Sequence, residues 1–470
     1  MMWDFKKYGS KMAAICHTGE SITYKQLDIA GKYLIEKING RCLVFSICTN
    51  SIGSVVGYTG FMNHDIVPLL LDSHLDDELM EYLIHLYKPS YLWAPNSMAE
   101  RFDQYHQIYE DMNYILLETK FIDVYPLYDE LGLLLTTSGS TGSPKLVRQS
   151  YKNVEANMKS IVDYLDLDET ERPITTLPMS YTYGLSIINS HLSVGATLLL
   201  TDKTLMEKGF WSFFKDQKAT SFGGVPYTYE ILDKLKFFKM ELSSLKTMTQ
   251  AGGKLSPELH KKFAEYAIDN NKHFVVMYGQ TEATARMSYL PYEKSLEKYG
   301  SMGIAIPGGS FSLIDVDGNV ITEPEIVGEL VYEGPNVTLG YAEKGDDLIK
   351  ADERFGRLIT GDMAKVDNDG YYYIVGRKKR FLKIYGNRVN LDETERMIKT
   401  KFSDMECACA GVDDNMYIFI TDETASDQVR KFVADKTGLN SVAFKIKFID
   451  HIPKNEAGKT LYIKLEQYYN

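Results

Sequence analysis

Residues 133–150 read LLLTTSGSTGSPKLVRQS and hold the densest cluster of chemically useful side chains in the sequence. The apolar run Leu133, Leu134, Leu135 reads as a short buried strand, which opens into the small and hydroxylated residues 136–142 before Pro144 and Lys145. Such a loop turns backbone N–H groups inward, adds hydroxyl donors from Thr137, Ser138, Ser140 and Thr141, and brings the Lys145 ammonium to the same place. That combination is a phosphate cradle. It is not a Walker A loop, because Gly142 is followed by Ser143 and Pro144, and it holds no GxGxxG. Taken on spacing alone, a flexible Ser/Gly surface loop is the alternative.

Three further stretches carry candidate chemistry. Residues 178–184, PMSYTYG, set Tyr181 and Tyr183 around a small loop, either to line a pocket of mixed apolar and hydroxyl character or as ordinary core aromatics. Residues 246–254, KTMTQAGGK, end a strand in a Gly-Gly turn, where ligands of open α/β sheets sit. Residues 274–288, FVVMYGQTEATARMS, deliver Tyr278, Gly279, Gln280, Thr281 and Glu282 in sequence from a buried strand. An aromatic face, a hydroxyl and a carboxylate held together suit a base, a phosphate and Mg²⁺; a solvated loop acid is the plain alternative for Glu282. Further on, Asp362 can accept from two ribose hydroxyls or serve as a turn aspartate.

The elements that must position these residues alternate between strand and helix. Residues 20–40 read as a strand and an amphipathic helix, and 41–71 as strand, helix, strand, a βαβ unit. From Gly328 the pattern turns to short strands with Gly, Asn and Asp turns, a small antiparallel β region. The basic run Arg377, Lys378, Lys379, Arg380 marks a domain change, and the remaining residues read as a compact α+β unit ending in a turn, 455–459, that presents Lys459 at its tip. With 470 residues, 44% of them hydrophobic, the chain is large enough for several domains and a substantial core. Its formal net charge of −12 argues against nucleic acid or an anionic membrane as the main partner. No apolar leader or run of 18 apolar residues occurs, so a cytoplasmic protein is expected. The five cysteines and nine histidines lack metal-site spacing.

The order of these motifs resembles the adenylate-forming superfamily of acyl-CoA synthetases, nonribosomal-peptide adenylation domains, D-alanine to carrier-protein ligases and luciferases. TTSGSTGSPK, the P-x-x-aromatic-x-x-G loop, AGGK, YGQTEAT, GELVYEGP, TGD, GRKKRFLK, YGNRVNLDETE and PKNEAGK follow one another as that family's motifs do. The resemblance implies a large, multi-layered α/β N-terminal domain with a small β region, residues 1–378, and a small mobile α+β C-terminal lid, residues 380–470, hinged near Lys379. It assigns the β- and γ-phosphates to Thr137, Ser138, Gly139, Ser140, Thr141, Gly142 and Lys145. Adenine would stack on Tyr278, with Gly252, Gly253, Gly279 and Gln280 around the nucleotide. Thr281 would contact the α-phosphate, Glu282 would bind Mg²⁺, and Asp362 with Arg377 would take the ribose. Lys459 would bridge the substrate carboxylate and α-phosphate. Tyr181, Thr182, Gly184 and Tyr227 would border the acid, and Gly386 the passage for a pantetheine arm.

The implied activity is ATP-dependent activation of a carboxylic acid as its adenylate, with release of pyrophosphate and transfer to a thiol of CoA or of a carrier-protein phosphopantetheine supplied in trans. Where amino-acid-activating members carry an Asp for the ammonium, this chain has Thr182, a neutral hydroxyl, which disfavours an α-amino acid. An amino-acid-activating ligase and a non-catalytic nucleotide-binding relative are the alternatives. Leu146 follows Lys145 where the family usually has Gly, and the hinge is Lys379 instead of Asp.

Overall fold

Helix starts in this chain are written by local hydrogen bonding. Thr23 and Gln26 close a capping box over the helix Tyr24–Ile35, and Ser150 and Asn153 do the same for Tyr151–Tyr164. Between such helices, apolar segments with no polar alternation, such as LVFSIC at Leu43–Cys48, are buried on both faces, as strands of a largely parallel sheet must be. The computed structural model describes residues 2–122, 124–136, 145–385, 387–454 and 460–469, and all of their side chains but those of Lys379, Phe381, Asn387 and Arg388.

The chain divides into two compact units. The first holds residues 1–138, 143–310 and 332–358 and is built on two large mixed sheets. In the nine-stranded sheet, His273–Tyr278, Thr247–Gln250, Ser221–Gly224, Pro173–Ile174, Leu198–Leu200 and Met12–Cys16 lie parallel in that order, with antiparallel strands at both edges. In the eight-stranded sheet, Leu131–Thr136, Val67–Asp72, Leu43–Cys48 and Tyr91–Pro95 run parallel. Beside Leu131–Thr136 lie Leu146–Ser150 and then Gly340–Ala342, both antiparallel, with Gly340 opposite Arg148 and Tyr341 opposite Val147. One core cluster joins Leu198 and Leu200 of the first sheet to Leu133 and Leu135 of the second through Val55, Tyr58, Leu185 and Ile188 of intervening helices. The expected multi-layered α/β architecture is therefore present.

The second unit holds residues 311–331 and 359–470. It carries a five-stranded sheet that includes Arg357–Val366 paired antiparallel with Tyr372–Arg377, and a three-stranded sheet, Cys407–Val412, Asn415–Ile420 and Phe444–Phe448. The parallel crossover between the last two runs through the helix Ser426–Thr437, whose Val429 and Val433 pack with Ile398, Ile418 and Cys409. Three residues of the basic run form ion pairs within this unit: Arg377 with Asp362, Lys378 with Glu329, Arg380 with Asp392 and Glu395. Among the described residues no helix is long and apolar enough to cross a membrane.

His260, on the helix Pro257–Asp269, is buried in the first unit. The Gly300 N–H donates to its Nδ1 at 3.1 Å, and its Nε2 lies 3.2 Å from Ser295 Oγ, so the ring is held neutral with its proton on Nε2. Burial pushes its pKa down to about 4. A folded value below the unfolded one means that this contribution is intact above about pH 6.5 and is lost as pH falls through the folded value. Urea denaturation should therefore show stability declining between about pH 6.5 and 4, and His260→Gln should flatten that slope by up to about 1.4 kcal/mol per pH unit. An unchanged slope in the variant would contradict the assignment.

Candidate active site

The segment 278–286 turns back on itself at the end of the strand His273–Tyr278. Ala283 N–H donates to Gln280 O at 3.0 Å and Met287 N–H to Tyr278 O at 2.9 Å. A Cβ on Gly279 would lie 1.6 Å from Ala285 O, so only glycine fits. Thr284 and Ala285 sit at φ +56° and +103°, sparsely populated conformations for residues with a Cβ. Such strain persists only where neighbours over-determine the backbone. Here buried Asn336 donates from Nδ2 to Ala283 O at 2.8 Å and Arg286 O at 3.1 Å, while Thr284 Oγ1 donates to Asn336 O at 2.7 Å. Thr338 adds two bonds to Glu282 O, from its N–H at 3.0 Å and its Oγ1 at 2.9 Å.

Half-buried Thr281 and Glu282 are thus presented on a fixed turn. The Tyr341 hydroxyl donates to Glu282 Oε1 at 2.6 Å. The Arg354 guanidinium lies 4.6 Å from the Tyr341 ring centroid and donates to Glu282 O at 3.1 Å, and Lys145 Nζ lies 5.7 Å from the same centroid. Burial first, then the Glu282 carboxylate, pushes the Tyr341 phenol up to about 12, so it stays a donor at neutral pH. Lys145 pairs with Glu343 at 2.7 Å, but the two side chains are 36% and 60% exposed. A pair so open to water contributes under about 1 kcal/mol, so Glu343 holds Lys145 only weakly.

Tyr341 is held from behind by Arg148, whose guanidinium is fully buried. Arg148 Nε donates to Tyr341 O at 3.0 Å, Nη1 reaches the carbonyls of Lys350 and Ala351, and Nη2 pairs with Glu353. The structure therefore gathers Lys145, Thr281 and Glu282 around residues that sequence reasoning missed: Arg148, Asn336, Thr338, Tyr341 and Arg354. Asn336, Thr338, Tyr341 and Arg354 are marked in the sequence only by following GELVYEGP, and Arg148 only by following Lys145.

The PMSYTYG loop is pinned by Asn50, which donates from Nδ2 to Leu177 O and Thr201 O, each at 3.2 Å, and accepts from Met179 N–H at 3.1 Å. The helix starts earlier than the loop reading implied, at Thr182, so Tyr183 and Gly184 lie in its first turn. Gly252, at φ +82°, brings its backbone so close to Tyr181 that a Cβ would be 2.6 Å from the hydroxyl. The tyrosine loop and the Gly-Gly turn thus meet. Burial pushes the Tyr181 phenol up to about 12. Tyr183 is buried and bonded to Thr249 Oγ1 at 2.8 Å, whereas Tyr227 is half exposed and makes no ring contact with either tyrosine. Within the second unit, Asp362 is opposite Arg377 in the ladder and 3.0 Å from its Nε. Thr137, Ser138, Gly139, Ser140, Thr141, Gly142, Gly386 and Lys459 lie outside the described residues.

A family model described as AMP-binding enzyme matches residues 2–342. Among curated proteins, the chain is 29% identical over 352 residues to the peroxisomal OPC-8:0-CoA ligase 1 of Arabidopsis thaliana, covering 71% of this chain and 63% of that protein. It is 28% identical to the oxalate–CoA ligase of Arabidopsis thaliana, covering 70% and 66%. The chain thus spans just under two thirds of the length of these relatives. Among solved structures, ATP-bound MatB from Rhodopseudomonas palustris superposes with a TM-score of 0.79 at 21% identity, over 99% of this chain and 98% of that one. The O-succinylbenzoate coenzyme A synthetase of Bacillus subtilis in complex with AMP gives a TM-score of 0.79 at 20% identity, covering 98% and 96%. These likenesses show the fold.

Tyr341→Phe removes one hydroxyl while keeping the ring beside Lys145 and Arg354, and should lower stability by about 1–2 kcal/mol. Arg148→Met strands buried carbonyls together and should cost about 2–4 kcal/mol. Urea denaturation of both variants checks the ranking; equal losses would show that Arg148 does not anchor the segment.

Proposed function

The chain belongs to the AMP-binding enzyme family, and on that premise we propose that it activates a carboxylic acid with ATP and passes the acyl group to the thiol of CoA. The observation that carries this reading is the Glu282 carboxylate held by Tyr341 beside Lys145, on a turn that also presents Tyr278 and Thr281.

In the first half-reaction a carboxylate oxygen of the acid bonds to the α-phosphorus of ATP as the bridge to the β-phosphorus breaks, and pyrophosphate leaves. An anion approaches an anion, so the barrier is electrostatic and positioned charge lowers it. Tyr278 would stack on the base, with Gly252, Gly253, Gly279 and Gln280 around the nucleotide, and Thr281 would donate to the α-phosphate. Thr137, Ser138, Gly139, Ser140, Thr141, Gly142 and Lys145 would hold the leaving phosphates, and Asp362 with Arg377 would hold the ribose. Glu282 would hold Mg²⁺: one carboxylate oxygen is oriented by Tyr341 and the other has no partner among the described residues, which leaves a hard oxygen donor of the kind that ion takes alongside phosphate. When bound, that ion neutralises charge across the phosphates.

In the second half-reaction the thiol sulfur attacks the acyl carbonyl carbon, AMP departs with the bridging oxygen, and the thiol proton passes to solvent. Lys459 would serve the first step, and rotation of residues 380–470 about Lys379 would exchange it for the turn at Gly386 in the second. CoA is favoured over a carrier protein because the relatives are named as CoA ligases. The neutral Thr182 at the start of the helix favours an acid without an α-ammonium.

Pyrophosphate release from ATP, measured with a panel of short, long, aromatic, hydroxy and amino acids with and without CoA, tests this. Acid-dependent release accelerated by CoA, and lowered on the order of 10²- to 10³-fold in Glu282→Gln, is expected. Release indifferent to CoA would move the acceptor to a carrier-protein phosphopantetheine. ATP binding without release for any acid would overturn the reading in favour of a non-catalytic relative.

A further inference from the structure

Arg286 lies in the first unit just past the turn that carries Glu282 and is only 2% exposed. A guanidinium stays charged at any pH the fold survives, and removing it from water costs several kcal/mol unless an anion or a full set of acceptors replaces the solvent. Among the described residues Arg286 has neither. Its Nε donates to Ser186 Oγ at 3.1 Å, its Nη1 faces the Tyr164 hydroxyl at 3.0 Å and Met277 Sδ at 3.2 Å, and its Cζ lies 5.2 Å from the Tyr183 ring centroid. These are neutral groups. Among the described residues no carboxylate pairs with Arg286, and its Nη2 has no hydrogen-bond partner. Arg148, equally buried, does have a carboxylate in Glu353. The contrast marks Arg286 as a charge whose complement is missing among the described residues.

Its location says where that complement comes from. Met277 is the residue before Tyr278 on the strand that feeds the candidate site. Tyr183 and Ser186 lie on the helix that begins at Thr182, and Tyr183 is bonded to Thr249 just before the Ala251-Gly252 turn. Arg286 thus touches the strand that ends at Tyr278 and the helix whose first turn carries Thr182 and Gly184, and its neighbour Tyr183 reaches the strand that leads to the Gly-Gly turn.

We propose that Arg286 binds a second carboxylate at the far end of the acid, so that the preferred substrates are short dicarboxylic acids, with Ser186 and Tyr164 orienting the guanidinium and the Tyr183 ring packed against it. This rests on the acid-activating reading for which carboxylate reacts, but the binding itself does not. Exchange of solvent for a carboxylate on a buried guanidinium gives a charge-assisted contact, which discriminates about 10- to 100-fold against an acid lacking it.

The test is calorimetric binding of glutarate and pentanoate, which share a five-carbon chain, to the full chain with and without α,β-methylene ATP, an analogue that cannot release pyrophosphate. Glutarate is expected to bind about 10- to 100-fold more tightly. Arg286→Met should bring glutarate down to the level of pentanoate, and Arg286→Lys should retain part of the difference. Thermal melting reports whether each variant folds, and if Arg286→Met does not, the unsubstituted chain and Arg286→Lys carry the test. Equal or tighter binding of pentanoate, binding of neither acid, or a preference that survives intact in Arg286→Met would overturn the proposal. Pyrophosphate release on the same proteins separates the two readings: Arg286-dependent glutarate binding without release for any acid would leave this proposal standing and contradict adenylation.

Discussion

The fully buried guanidinium of Arg148 is the constraint on which the site depends. A charge taken out of water must be met on every side, and Arg148 meets its requirement with the carbonyls of Tyr341, Lys350 and Ala351 and the carboxylate of Glu353. Those acceptors belong to residues about 200 positions further along the chain. Satisfying one side chain therefore fixes the strand Gly340–Ala342 against Leu146–Ser150. Once that strand is placed, the Tyr341 ring stands near both Lys145 and Arg354 and its hydroxyl reaches Glu282. Lys145 lies just before the strand that carries Arg148, so the cation and the carboxylate of the site are tied to the same pair of strands.

The turn at 278–286 obeys the complementary logic. Its backbone is strained at Thr284 and Ala285 and closes only because residue 279 has no side chain. Asn336 and Thr338 hold it, and both precede the strand that Arg148 anchors. Anchoring and strain are thus two ends of one segment. Thr281 and Glu282 gain fixed positions, which is what electrostatic catalysis requires of groups that must not reorganise as charge moves.

Much of this was legible in the sequence. The order of the phosphate loop, the tyrosine loop, the Gly-Gly turn and YGQTE identified the family and the parallel α/β core, because each motif combines strand ends with residues of special backbone freedom. What stayed hidden depends on distant pairing. Tyr341 and Glu282 are 59 positions apart, and Arg148 and Tyr341 are 193 apart, so no local pattern marks either contact. Arg286 looks ordinary in TEATARMS, since nothing in the sequence reveals that it is buried with no carboxylate partner among the described residues. The basic run 377–380 reads as a domain junction in the sequence, and no local pattern marks the acids, from Glu329 to Glu395, with which Arg377, Lys378 and Arg380 pair.

In the proposed reaction an oxygen of the acid attacks the α-phosphorus of ATP, and oxygen labelling follows that bond. If the full chain turns over with CoA, ATP and an acid whose carboxylate carries ¹⁸O, mass spectrometry of the nucleotide product should find one labelled oxygen in the phosphate of AMP, with unlabelled pyrophosphate. Label in inorganic phosphate with ADP as the product would place the attack on the γ-phosphorus and contradict the account.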